Sequence, residues 1–160
     1  MKAATVRELK KELSHRSSEE LLELCLRLSK FKKENKELLT YLLYEVSNED
    51  NYIESVKREM NQQFEDINTS SYYFIKKSVR KILRNTKKYI RYSKKKETEV
   101  ELLIYFCSEL KNISTPIKRN VTLQNIFDRQ IILIKKSVLT LHEDLQFDYK
   151  MELDEILEIS

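Results

Sequence analysis

With 160 residues, 35% of them charged and 41% hydrophobic, the chain has enough apolar material for one core and too much for disorder throughout. Glycine is absent and proline occurs once. This excludes glycine-rich phosphate loops with their nucleotide chemistry, and predicts that hairpins, Schellman caps and other left-handed turns are missing.

The opening MKAATVRELKKEL carries no apolar stretch of signal-peptide length, and no run reaches the roughly 18 apolar residues of a membrane span. A cytoplasmic protein is expected. Thr5-Val6-Arg7-Glu8 has the form of a capping box, with a hydroxyl at the N-cap and a carboxylate three positions on, so a short helix should run to about Leu13. Over about a dozen residues, Thr5, Val6, Glu8, Leu9, Lys10, Leu13 and Arg16 resemble the first helix of SAP domains, small DNA-binding helix pairs. SSEELLELCLRL then replaces the connector glycines and lysine-leucine pattern of that family, so the resemblance assigns neither fold nor function.

Ser17-Ser18-Glu19-Glu20 repeats the capping device and opens a helix whose Leu21, Leu22, Leu24, Cys25, Leu26 and Leu28 cover well over half the circumference. Such a helix is expected to be largely buried. After a polar break with Asn35 as a candidate cap, Leu38, Leu39, Tyr41, Leu42, Leu43 and Val46 continue the pattern, as a second packed helix or as one long helix. Ser47-Asn48-Glu49-Asp50 begins the clearest amphipathic stretch, with Ile53, Val56, Met60, Phe64 and Ile67 at three-and-four spacing.

Asn68 to Ser71 ends that helix, and the next is predicted from about Tyr72 to Ser93. Another starts near Glu97, where Glu97, Glu99 and Glu101 suit the positive end of the helix dipole. Ser114-Thr115-Pro116 marks a corner before the long stripe Val121, Leu123, Phe127, Ile131, Ile134, Val138 and Leu141. A last short helix holds Met151, Leu153, Ile156 and Leu157. The fold class expected is all-α, an irregular bundle or short superhelix of seven to eight mostly antiparallel helices, forming a single domain over residues 1–160.

Little in the chain points to catalysis. His15 and His142 stand in no motif; Glu12 and His15 form one Glu-x-x-His pair, but Leu139 occupies the position that would give His142 its partner. Cys25 and Cys107 lie in apolar runs and are read as buried structural thiols rather than a zinc or redox pair. No catalytic residue, metal site, cofactor or small-molecule ligand is indicated, and an enzyme is not expected.

Charge is the informative signal. From Tyr72 to Lys96 there are eleven basic residues and no acidic one, which leaves −7 for the rest of a chain of net charge +4. On a helical wheel Ile75, Val79, Ile82, Leu83, Thr86, Tyr89 and Ile90 gather on one side, and Lys76, Lys77, Arg80, Lys81, Arg84, Lys87, Lys88 and Arg91 on the other. Tyr73 and Tyr92 are placed at the margins of the cationic side, as candidates for stacking on a base. The expected function is a non-enzymatic interaction module presenting this basic helix to an anionic partner, either nucleic acid or an acidic protein. The alternative is a helical protein-binding scaffold whose basic face is solvated or neutralised by acidic segments such as Glu143–Glu158.

Overall fold

A computed structural model describes residues 1–158, and among these it holds eight α-helices and no strand, an all-α bundle as the sequence predicts. The chain divides into two compact units, Met1–Tyr44 and Glu45–Ser160. Among the described residues no helix is long and apolar enough to cross a membrane.

The first unit contains α1 (Val6–Leu13), α2 (Ser18–Phe31) and α3 (Lys33–Thr40). Both predicted capping boxes form. The Thr5 hydroxyl accepts the Glu8 backbone N–H at 3.3 Å, and the Glu8 carboxylate accepts the Thr5 N–H at 2.7 Å. Ser17 and Glu20 repeat the exchange at 3.1 and 2.8 Å. Satisfying these otherwise orphaned amides is worth about 1 kcal/mol per helix start. Asn35 does not cap α3; its amide instead donates to the Leu28 carbonyl at 2.8 Å, across the break at Lys32. α3 runs on into a π-helical turn, Tyr41–Glu45, where the two units meet in sequence.

The expectation that α2 is largely buried is overturned. Ser29 is its only buried residue, and Leu22, Leu24, Cys25, Leu26, Leu28 and Phe31 are exposed. An apolar circumference shows what a helix can bury, and within the first unit α3 packs on part of it.

The second unit is built around α6 (Lys96–Asn112), which contacts α4 (Glu49–Glu65), α5 (Tyr72–Ser93), α7 (Val121–Val138) and α8 (Glu143–Glu158). While Glu101, Tyr105 and Ser108 of α6 stay partly exposed, packing against these four helices buries Val100, Leu102, Leu103, Phe106, Cys107 and Leu110 completely. Each such side chain stabilises the fold by roughly 1.5–3 kcal/mol relative to exposure. α4 buries the stripe Tyr52, Ile53, Val56, Met60 and Phe64, and Phe64 packs on Phe106 at a ring separation of 5.7 Å. Asn48 caps α4 by accepting the Asn51 N–H at 3.1 Å.

The proline corner leads into a 3₁₀ turn, Ile117–Arg119, before α7. α7 buries Leu123, Phe127, Ile131, Ile134 and Val138 as the stripe predicts, but Val121 at its first position is exposed. α8 extends over 16 residues, longer than the short helix expected. One left-handed residue also departs from expectation: Lys94, at φ 60°, closes α5 in the conformation usually left to glycine.

Candidate anion-binding face

α5 is fixed along its apolar side. Ile75, Val79, Ile82 and Thr86 are buried where the helix meets α4 and α6, and the Thr86 hydroxyl donates back to the Ile82 carbonyl at 3.0 Å. Hydrogen bonds pin both ends. Tyr52 donates to the Tyr89 carbonyl at 3.0 Å, Tyr89 to Glu59 at 2.7 Å, and Tyr72 to the Pro116 carbonyl at 3.1 Å. A helix held in this way can turn only its opposite side outward.

That side is cationic. Lys77, Arg80, Lys81, Arg84 and Arg91 are exposed, while Lys76, Lys87 and Lys88 lay part of their stems along the surface. Tyr73, Lys77, Arg80, Arg84, Lys87 and Arg91 follow one another at spacings of four and three residues, which aligns them as a straight ridge roughly 27 Å long at 1.5 Å per residue. Beside the ridge lies an open depression of about 710 Å³, bordered by Tyr73, Lys76, Lys77, Arg80, Lys81 and Arg84.

Lys76, Lys77, Arg80, Lys81, Arg84, Lys87 and Arg91 form no ion pair among the described residues. Lys88 lies 4.6 Å from the Tyr89 ring centre, a cation–π contact that draws it off the ridge. Lys95 and Lys96 are also engaged, with Glu49 at 3.0 Å and Glu99 at 2.6 Å. The excess of positive charge after Tyr72 therefore divides into a structural part near the α5–α6 corner and an outward row on α5. Neighbouring cations of one sign along a helix repel, and an external anion relieves that repulsion.

Of the two tyrosines placed beside the row, only Tyr73 is available. Tyr92 is buried, with its ring 6.0 Å from Tyr89 and nearly perpendicular to it. Tyr92 sits beside Tyr89, whose hydroxyl reaches Glu59 on α4, so this marginal wheel position lies on the inner side of the helix. Tyr73 instead heads the ridge, and its ring meets the exposed Phe74 edge-on at 5.3 Å. Phe74 is a second exposed ring that the sequence pattern did not single out, although it directly precedes the buried Ile75.

The acidic α8 is engaged elsewhere. With α4 and α6 it borders a cleft of about 410 Å³ whose charged lining includes Lys57, Glu101, Asp148 and Glu152. Lys57 bridges Glu54 at 3.1 Å and Glu101 at 3.2 Å, and Tyr149 donates to Glu101 at 3.1 Å. Burial pulls the Lys57 ammonium down, but the hydrogen bonds to Glu54 and Glu101 outweigh it and hold its pKa above the ordinary lysine value. Among the described residues no group of three or more His, Cys, Asp or Glu side chains is placed to hold a metal ion.

Cys107 is buried as expected, and burial pushes its thiol up to about 12. Cys25 is not: it is exposed on α2, which corrects the reading of both thiols as core residues. No family model, curated protein or solved structure matches the chain.

Proposed function

We propose that this chain is a non-enzymatic, cytosolic interaction module whose α5 ridge binds the phosphate backbone of nucleic acid with little sequence preference. The observation that carries this reading is the row of five ridge cations, Lys77, Arg80, Arg84, Lys87 and Arg91, without an ion-pair partner among the described residues, on a helix whose other side is anchored. Such a surface needs no specific ligand geometry. It gains affinity by releasing the counterions condensed on a polyanion. Arginines along the row add bidentate contacts to phosphate, and Tyr73 at its end supplies a face on which an unpaired base can stack.

Fluorescence anisotropy of mixed-sequence duplex and single-stranded DNA, followed across salt, tests the proposal. Binding should weaken steeply, with a log–log slope near −0.9 for each duplex phosphate neutralised. Replacing Arg80, Arg84, Lys87 and Arg91 together by glutamine spares the buried Ile75, Val79 and Ile82, so helicity should survive while the slope flattens. Wild-type protein that binds neither polyanion at about 50 mM salt, where nonspecific electrostatic binding is strong, rules the reading out and leaves an acidic protein as the partner class.

A further inference from the structure

The two ends of the α5 row differ in their rings. From Lys77 to Arg91, roughly 21 Å of helix at 1.5 Å per residue, no exposed aromatic side chain stands beside the cations. Tyr89, the nearest candidate, is partly buried, with its hydroxyl on Glu59 and the Lys88 ammonium over its ring. At the start of the helix Tyr73 and Phe74 are both exposed. Phe74 precedes Lys77 and Lys81 by three and seven residues and so shares their flank, while Tyr73 heads the ridge and borders the depression of about 710 Å³.

A second element brings cations to this same end. The Pro116 carbonyl accepts the Tyr72 hydroxyl at 3.1 Å and the Arg119 backbone N–H at 3.2 Å. One oxygen thus ties the 3₁₀ turn Ile117–Arg119 to the first residue of α5. Lys118 and Arg119 in that turn are exposed and form no ion pair among the described residues.

A nucleic acid laid on these parts meets different chemistry along its length. Over Lys77 to Arg91 an unpaired base would find cations but no exposed ring. Its stacking is better kept inside a duplex, which offers the row its phosphates. Tyr73 and Phe74 reverse that preference, because bases within a closed duplex are already stacked on each other, whereas an unpaired base has a free face for a ring.

We infer that the aromatic end of α5 is a subsite for unpaired bases, and that the chain engages the junction at which a duplex opens into a single strand. This rests on the α5 row binding phosphate as proposed above. The duplex lies on the row from Lys77 to Arg91, the first unpaired bases stack at Tyr73 and Phe74, and Lys118 and Arg119 hold phosphates of the strand that continues.

Anisotropy titrations of the full chain test this with DNAs that share one duplex of about 12 base pairs, compared at about 100 mM salt. In one both ends are closed by glycol linkers, another carries an overhang of about six nucleotides, and a third carries the same overhang with abasic sites. The overhang should raise affinity about tenfold over the closed duplex, with the abasic overhang in between. Tyr73→Ala/Phe74→Ala should bring the overhang down to the abasic level and leave closed-duplex affinity, its salt slope and helicity unchanged, since both rings are exposed. Tyr73→Trp should keep the preference, which separates a lost stacking face from a disturbed helix. Lys118→Gln/Arg119→Gln should weaken binding of the overhang DNA alone. Equal wild-type affinity for closed and overhang duplexes, an abasic overhang that binds as well as the natural one, or overhang binding untouched by either double variant overturns the inference while the phosphate row stands. Failure to bind any of the three DNAs overturns the row and the inference together.

Discussion

The Glu49 carboxylate accepts the hydroxyl of Thr98 at 2.6 Å, joining the first turn of α4 to the first turn of α6. The Ser93 hydroxyl donates to the same carboxylate, and the Lys95 ammonium pairs with it at 3.0 Å. One acidic side chain therefore closes the corner at which α5 turns into α6. Thr98 is fully buried, so deleting its acceptor strands a buried hydroxyl. Glu49→Ala is expected to destabilise the protein by about 1–3 kcal/mol, read as a lower urea midpoint at unchanged slope. Polyanion binding below the transition should persist, because Glu49 pairs with none of the five ridge cations.

The two thiols should separate cleanly. Cys107 is fully buried with its pKa raised, whereas Cys25 lies exposed on α2. A thiol reagent at neutral pH should titrate one equivalent rapidly and the second only in denaturant, and Cys25→Ser should abolish the fast phase. Two slow phases would mean that Cys25 is covered.

Burial, reinforced by the neighbouring Glu101, raises the Glu152 carboxyl above its ordinary value. A carboxyl whose pKa is higher folded than unfolded is bound to its proton more tightly in the native state. Its ionisation therefore opposes folding, and the penalty develops as pH climbs from the unfolded value of about 4.5 through the folded one. Glu152→Gln should make the protein more stable at pH 7 by less than about 1 kcal/mol, since solvent reaches this side chain and screens it. The advantage should vanish below about pH 4.5, and thermal melts across that range provide the measurement.

Helix starts and one-sided stripes are legible in the sequence because capping boxes and three-and-four spacing are local: Thr5 with Glu8, Ser17 with Glu20, and the α4 and α5 stripes all stand where the pattern places them. Neighbours are not legible. α2 and α6 look alike, both apolar around much of their circumference, yet α6 packs against four helices and buries its apolar side chains, while most of those on α2 are exposed. Periodicity states which face a helix offers, and only the fold decides whether another element takes it. The basic row shows the same limit at finer scale. Lys95 and Lys96 count equally with Arg80 in the charge sum, but Glu49 and Glu99 draw them into ion pairs. Tyr92 and Tyr73 flank the same helix, yet Tyr92 is buried and Tyr73 is exposed.

Lys94 closes α5 at φ 60°, where a side chain costs about 1–2 kcal/mol. Its backbone N–H donates to the Ile90 carbonyl at 2.9 Å, so this conformation completes the helix end. Lys94→Gly should relieve the strain at some cost in unfolded-chain entropy, for a net gain of about 0.5–1 kcal/mol in urea unfolding. Lys94→Val should lose stability, because a β-branched side chain suits a left-handed residue least. If both substitutions shift the midpoint in the same direction, backbone conformation is not what limits this position.

The row on α5 can be distinguished from net charge by removing the same number of cations from two places. Arg80→Gln/Arg84→Gln takes two from the middle of the ridge, and Lys135→Gln/Lys136→Gln takes two from the last turn of α7. Both variants carry the same total charge, so a protein attracted to polyanions only by its overall field would respond equally to each. Binding through the ridge predicts otherwise: the α5 pair should reduce the salt slope for duplex DNA by roughly one for each phosphate that is no longer neutralised, while the α7 pair leaves it close to wild type. Tyr73→Ala adds a second discrimination. A stacked base is worth about 1–3 kcal/mol, so single-strand affinity should fall while duplex affinity, which offers no free base face, stays close to wild type. Equal weakening in the α5 and α7 pairs would show that the alignment of Lys77, Arg80, Arg84, Lys87 and Arg91 contributes nothing beyond charge.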